Sequence, residues 1–290
     1  MKYFSAIIVL ASTLTYANVS HSAVLTLDYT NVLSNQLADT MSNFAPQGLG
    51  FDTSTNELLF AQQSSRTIYR TDLQGQILGS LAINLHHTTS VAGDANNYYV
   101  SDYTGNASYQ DLHTIDKTTG YRTDLSSEVA AYGGYPIDVR NGVLYRAENS
   151  RAYNWSGLSQ IRISNLSSAD TITQTLTLST ANGIGDIAVD SARNQLWTID
   201  YTANALIRQF DITTGLELAN FDFGLDGLSS GITYANDTLY FYDWKNGSGS
   251  TLSAYSIETA NVEASAPAML GLVCLGLLGM GYRRHKTLNS

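Results

Sequence analysis

The chain is poor in cysteine, proline and positive charge, and each shortage excludes something. Cysteine occurs once in 290 residues, at Cys274 near the C-terminus. A disulfide framework and thiol chemistry are therefore excluded for everything before it. There are 3 prolines against 23 glycines, so the turns must be made by glycine, asparagine and aspartate. Setting aside Lys2, Arg283, Arg284, Lys286 and Glu263 leaves 11 basic and 24 acidic residues in 24–262, a net charge of −13. Such a body is repelled by phosphate backbones, which excludes nucleic acid as a partner. Long heptads and extended 3.6-residue patterns are missing too, which argues against a helical domain.

What is present is tyrosine (19 residues) and short alternating runs of Thr, Val, Ile and Tyr, the composition of an all-β protein. One unit recurs five times. Its first strands are Leu49–Asp52, Ser90–Gly93, Ile137–Val139, Ile187–Asp190 and Ile232–Tyr234. Its second strands are Leu58–Phe60, Tyr98–Val100, Val143–Tyr145, Leu196–Ile199 and Leu239–Phe241. Turns at Asn56, Asn96-Asn97, Asn141-Gly142, Asn194 and Asn236-Asp237 join them, and these residue types tolerate positive φ. A third strand follows in each unit. Two of its exits, Asp116-Lys117-Thr118-Thr119-Gly120 and Asp211-Ile212-Thr213-Thr214-Gly215, are near-copies that lead into a fourth strand. Four strands per unit at a spacing of about 41–48 residues is the blade signature of a β-propeller. The expected fold is all-β, a propeller of about five four-stranded blades, with six as the alternative. The last unit shows only three strands, and the lone alternating segment Ala23–Leu27 is expected to complete it. The fourth unit, Leu196-Trp197-Thr198-Ile199-Asp200 with Asn204, Ile207 and Phe210-Asp211, resembles the NHL-type propeller repeat. That resemblance bears on architecture and carries no activity.

The two ends are patterned differently from the body. Lys2, the apolar run Tyr3–Leu14 and the small residues Ala17, Ser20, Ser22 and Ala23 have the layout of a secretory signal peptide, with cleavage after Ala17 or Ser22. At the other end, Ala268–Tyr282 is uncharged and Arg283-Arg284-His285-Lys286 follows at once. As a helix that run spans about 22 Å, a thin anchor whose basic flank stays cytoplasmic. The order Val262-Glu263-Ala264-Ser265-Ala266-Pro267-Ala268, apolar helix, basic cluster resembles a PEP-CTERM sorting tail. The resemblance implies recognition of Pro267, Arg283, Arg284 and Lys286 by an exosortase, transient membrane anchoring, and an exopolysaccharide or biofilm setting. It departs from the family in lacking Pro-Glu-Pro. The expected domains are 1–23 (leader), 24–262 (propeller) and 263–290 (sorting tail), in a protein that is exported to the periplasmic side, the cell surface or beyond.

Candidate chemistry is sparse. A propeller's channel is lined at the starts of its first strands, where Asp186 supplies the only carboxylate, with Asp138 one step further in. Propellers of the gluconolactonase type hold a divalent metal there with a Glu, Asn residues and an Asp. Two carboxylates fall short of the six to eight oxygens of calcium, so no cofactor is expected, with Ca2+ the one ion in question. The adjacent His86-His87 point to opposite sides if extended and chelate poorly. Asp102, Asp200 and Asp243 each follow a second strand, and are expected to cap their own loops. No Gly-x-Ser-x-Gly or His-Glu-x-x-His motif appears. Loop aromatics Tyr103, Tyr135, Tyr201, Trp155 and Trp244 offer flat faces with polar edges, suited to stacking on sugars or proteins. The sequence thus points to non-catalytic binding of carbohydrate or protein, with Trp155, Trp244, Tyr103, Tyr135, Tyr201, Asp186 and Asp138 as candidate contacts. The alternatives are a metal-dependent, lactonase-like hydrolase and a purely structural surface protein.

Overall fold

The computed structural model describes residues 23–34, 37, 48–62, 66–85, 88–102, 112–125, 136–148, 159–179, 183–200, 202, 204–225, 231–243 and 249–259. Its strands form three antiparallel four-stranded sheets and one eight-stranded sheet. In the larger sheet two antiparallel sets of four meet side by side at their first strands, so that five sets of four can be followed along the chain. The first set is β2 (Gly48–Asp52), β3 (Glu57–Gln62), β4 (Thr67–Thr71) and β5 (Ile77–Ala82). The second is β6 (Thr88–Gly93), β7 (Asn97–Asp102), β8 (Leu112–Asp116) and β9 (Arg122–Asp124). The third is β10 (Ile137–Arg140), β11 (Val143–Glu148), β12 (Gln160–Asn165) and β13 (Ile172–Thr177). The fourth is β14 (Ile184–Asp190), β15 (Gln195–Asp200), β16 (Ala205–Asp211) and β17 (Glu217–Leu225). The fifth joins β18 (Gly231–Ala235), β19 (Thr238–Asp243) and β20 (Thr251–Thr259) to β1 (Ala23–Val32), in the order β1-β20-β19-β18. The isolated N-terminal alternation is therefore the fourth strand of the last set.

Burial falls from the first strand of each set to the last. Every residue of β2, β6, β10 and β14 is buried, whereas β9 is wholly exposed and β13 buries only Leu176. Strands covered on both faces read as continuous small apolar runs, and rim strands alternate. Five apolar clusters fill the spaces between neighbours. Leu59, Ile68 and Val91 lie between sets one and two, and Ala92, Tyr99 and Val139 between two and three. Ile161, Ile187 and Phe210 fill the space between three and four, Trp197, Ile207 and Phe241 that between four and five, and Leu58, Phe60 and Tyr242 that between five and one.

Two glycines fix the closest approach. A Cβ on Gly50 would lie 1.8 Å from the Val91 carbonyl oxygen, and one on Gly48 would lie 2.5 Å from Ser90 Cα. β2 and β6 therefore touch backbone to backbone, joined by the single parallel bridge Asp52–Gly93. At the opposite ends of the first strands, Asn56, Asn141, Asn194 and Asn236 take φ between 50° and 60°, the left-handed geometry expected of them. The second set does this differently: Asp94 Oδ1 accepts from the Asn96 and Asn97 amides at 2.9 Å each.

Candidate functional site

The first strands converge on one carboxylate. Asp186 on β14 is fully buried. Its Oδ2 accepts from the Leu49 amide of the first set (3.3 Å) and the Ile232 amide of the fifth (3.0 Å). Its Oδ1 lies 3.4 Å from the Ser90 hydroxyl of the second set. The Ser90 oxygen in turn accepts from the Ile137 amide of the third set at 3.0 Å. One aspartate and one serine thus connect all five sets at the axis. Leu49 and Ile232 lack ladder partners for those amides on the axial side, and a buried N–H must be paired. The axis is filled at this level: a Cβ on Gly231 would lie 2.8 Å from Leu49 N and 3.1 Å from Asp186 Oδ2.

Two residues further along the strands, Asp138 and Arg140 form a second knot. Asp138 accepts from the Val139 and Val189 amides at 2.7 Å each and from Arg140 Nε at 3.1 Å. Burial pushes its carboxyl above the ordinary value, and the Arg140 guanidinium and the two amides oppose that push. Arg140 continues across the axis, donating to the Val189 carbonyl (3.2 Å) and the Tyr234 carbonyl (2.8 Å), with its guanidinium 5.6 Å from the Phe51 ring centre. Its five donors in a planar fork suit one residue that must meet three neighbouring sets. No sequence motif marks Arg140, because its partners come from segments 49 and 94 residues away.

Of the other residues singled out from sequence, Asp200 reaches across its sheet, while residues 201 and 203 of the loop it is expected to cap lie outside the described residues. Asp200 pairs with Arg208 (Nε–Oδ1 2.8 Å, Nη2–Oδ2 2.9 Å), and Arg208 also reaches Glu217 at 2.8 Å, an ion triad across β15, β16 and β17. Asp102 and Asp243 are likewise buried at the ends of second strands. His113 on β8 is buried, with Nδ1 2.9 Å from Asp124 Oδ1, and burial holds its imidazole below the ordinary value. Tyr103, Tyr135, Trp155, Tyr201, Trp244, His86 and His87 lie outside the described residues, as do Pro267, Arg283, Arg284, Lys286 and the leader. The connections carrying those rings and histidines all depart from the strand ends opposite the tight Asn and Gly turns. Among the described residues no group of three or more His, Cys, Asp or Glu is placed to hold a metal ion, and no helix is long and apolar enough to cross a membrane.

No family model and no curated protein matches the chain. Among solved structures it is similar to Myxococcus xanthus glutaminyl cyclase at 13% identity and a TM-score of 0.56, covering 83% of this chain and 99% of that one. The chain has a propeller-type fold. At that identity the likeness is one of fold, and the activity in the name is the Myxococcus protein's own. The propeller-type fold is also similar to a chain of the nidogen/laminin complex (17% identity, TM-score 0.47, covering 68% and 71%). A third similar structure is the hydrazine synthase of Kuenenia stuttgartiensis (14% identity, TM-score 0.42, covering 70% and 57%).

Proposed function

We propose that this is an exported, non-catalytic propeller of five blades that binds a carbohydrate or a protein through the face formed by its long connections. Five blades are supported by the five four-stranded sets and the five apolar clusters between them. The observation that carries the functional reading is the use made of Asp186 and Asp138. Asp186 is committed to backbone amides of two other blades, and Asp138 to the Val139 amide of its own strand and the Val189 amide of the next blade. Both therefore act as structural ties, and binding falls to the aromatic connections. Residues 1–23 and 263–290 act in export and in sorting by an exosortase, which sets the mature domain at the periplasmic side or cell surface in an exopolysaccharide context.

The test is a glycan array with the purified protein and its Trp155→Ala and Trp244→Ala variants. A stack on an aromatic ring is worth about 1 kcal/mol, so each variant weakens binding roughly five-fold with an unchanged melting temperature. Turnover of a lactone panel or of a glutaminyl cyclase substrate by the wild-type protein would replace this reading with a channel enzyme. An unchanged mature mass and location on deleting residues 264–290 would end the sorting assignment.

A further inference from the structure

Two blades carry the same turn with one side chain exchanged. In the second blade Asp116 Oδ1 accepts from Thr118 N, Thr119 N and Thr119 Oγ1 (2.7–3.0 Å), and the amide of Lys117 donates to the Asn96 carbonyl at 2.9 Å. In the fourth blade Asp211 Oδ1 accepts from Thr213 N, Thr214 N and Thr214 Oγ1 (2.8–2.9 Å), and the amide of Ile212 donates to the Asn194 carbonyl at 3.0 Å. The backbone is reproduced bond for bond, and Ile212 stands where Lys117 does. Lys117 lies along its own blade, with its ammonium 4.9 Å from the Tyr98 ring centre and bonded to the Asp94 carbonyl, and from there it pairs with Asp52 of the preceding blade. It closes that junction. Ile212 has no charge to place, and at the position of Asp52 the third blade carries Arg140, which turns to the axis.

The junction between blades three and four is left with a groove of about 280 Å3. Its floor is apolar: Ile163, Ile212, Val143 and the Tyr145 ring. Its rim is made of amides and hydroxyls. Thr173 Oγ1 is spent on the Ile163 carbonyl (2.9 Å) and Asn194 Nδ2 on Thr213 Oγ1 (2.7 Å). Asn165 heads the short 3-10 turn Leu166–Ser168 without capping it, and exposed Gln174 faces the same groove. One wall is fixed, because a Cβ on Gly215 would lie 2.2 Å from the Thr177 carbonyl oxygen and the Ser179 amide donates to the Gly215 carbonyl at 2.9 Å. The lining has no charged side chain, in a domain whose net charge is −13.

We propose that this groove binds one neutral sugar ring, a hexose unit of a glycan, on the face opposite the aromatic connections. An anion meets no cation here and is repelled by the domain, and a cation meets no carboxylate. A pyranose matches both surfaces: its C–H face lies on the aliphatic floor and the Tyr145 ring, and its hydroxyls meet amides that both donate and accept. The volume lies just below the about 300–1,000 Å3 of drug-sized pockets, which suits one ring rather than a chain. This site is independent of the aromatic face proposed above.

The experiment is saturation-transfer NMR on the full chain with methyl glucoside, methyl galactoside, methyl mannoside and glucuronate. At least one neutral glycoside is expected to bind with a millimolar Kd. Asn165→Ala with Gln174→Ala should weaken it roughly five-fold or more through two lost hydrogen bonds, at an unchanged melting temperature. Ile212→Lys, which places an ammonium without a carboxylate partner on the apolar floor, should abolish it. Trp155→Ala and Trp244→Ala should leave it intact. Absence of binding by all three glycosides, binding of glucuronate alone, or binding untouched by the Asn165/Gln174 pair would overturn the assignment. Loss in the tryptophan variants would move the sugar to the other face.

Discussion

The axis and the turn face use the same side chain for opposite purposes. Asp186 sits at the centre with partners 46, 96 and 137 residues away, and holds blades to one another. Asp116 and Asp211 sit at the turn face with partners two and three residues on, and hold only their own hairpins. A carboxylate at the axis is therefore a global tie, and one at the rim is a local brace. Between the extremes lie the junction pairs, Asp52 with Lys117 and Asp190 with Arg193, each linking one blade to the next or bracing the turn beside it.

This ordering predicts a graded series. Asp186→Ala should be the most damaging change, since it strands two buried amides and loosens Ser90. At about 1–3 kcal/mol for each of the three groups it removes much of the about 5–15 kcal/mol that holds a domain folded. Urea denaturation measures it, and a loss no larger than that of Asp211→Ala would erase the distinction between axis and rim. Next comes Asp138→Ala, which leaves Arg140 buried without its carboxylate, at a cost of about 3–5 kcal/mol. Asp138→Leu with Arg140→Leu should recover the part of that loss due to the unpaired charge, because both charges leave together while the Val139 and Val189 amides stay without their acceptor.

Third is Lys117→Met, read through pH. Burial works against the Asp52 charge, but the Lys117 ammonium and the Ser54 amide and hydroxyl outweigh it and hold the carboxyl below the ordinary 3.8. A depressed acid contributes stability that is complete above the unfolded value and is lost as pH falls through the folded one. His113 is depressed too, by burial, so its contribution is complete above 6.5 and fades as pH falls through its folded value. Acid unfolding should show both limbs. Lys117→Met should flatten the lower one and His113→Gln the upper one, and a single limb unmoved by either variant would contradict the assignment. The smallest effect belongs to Arg193→Ala. It loses contacts to buried Asp190, to exposed Asp237 and to the Tyr234 hydroxyl. Because Asp190 keeps the amides of residues 192 and 193 as donors, about 1 kcal/mol is expected by thermal melting.

The same division decides what was legible in the sequence. The strand pairs, the Asn56, Asn194 and Asn236 turns and the two Asp-x-Thr-Thr-Gly exits are short-range features, and each appears where its residues indicate. The role of Ala23–Leu27 followed from a missing fourth strand, an argument from counting, and the strand itself runs on to Val32. Asp186 and Asp138 were recognisable as channel residues, but what they bond was not, since their partners are backbone groups brought in by other blades. Arg140 and Ser90 carry no local signature at all. Asp200 shows the limit from another side. A loop cap and a partner on the adjacent strand look alike until the register places Arg208 within reach. The Lys117–Ile212 exchange was visible in the near-copied turns, yet its consequence needed the residue at the position of Asp52 in the preceding blade.

The pairing of β1 with β20 has a temporal side. Contacts such as Thr30 with Ser253 and Asp28 with Ser256 close loops of 223 and 228 residues. A ring whose last interval is filled from the opposite end of the chain cannot be finished blade by blade. Such long-range closure slows folding. β1 cannot be seated until β20 has been made, and until then β20 is an open edge of its sheet.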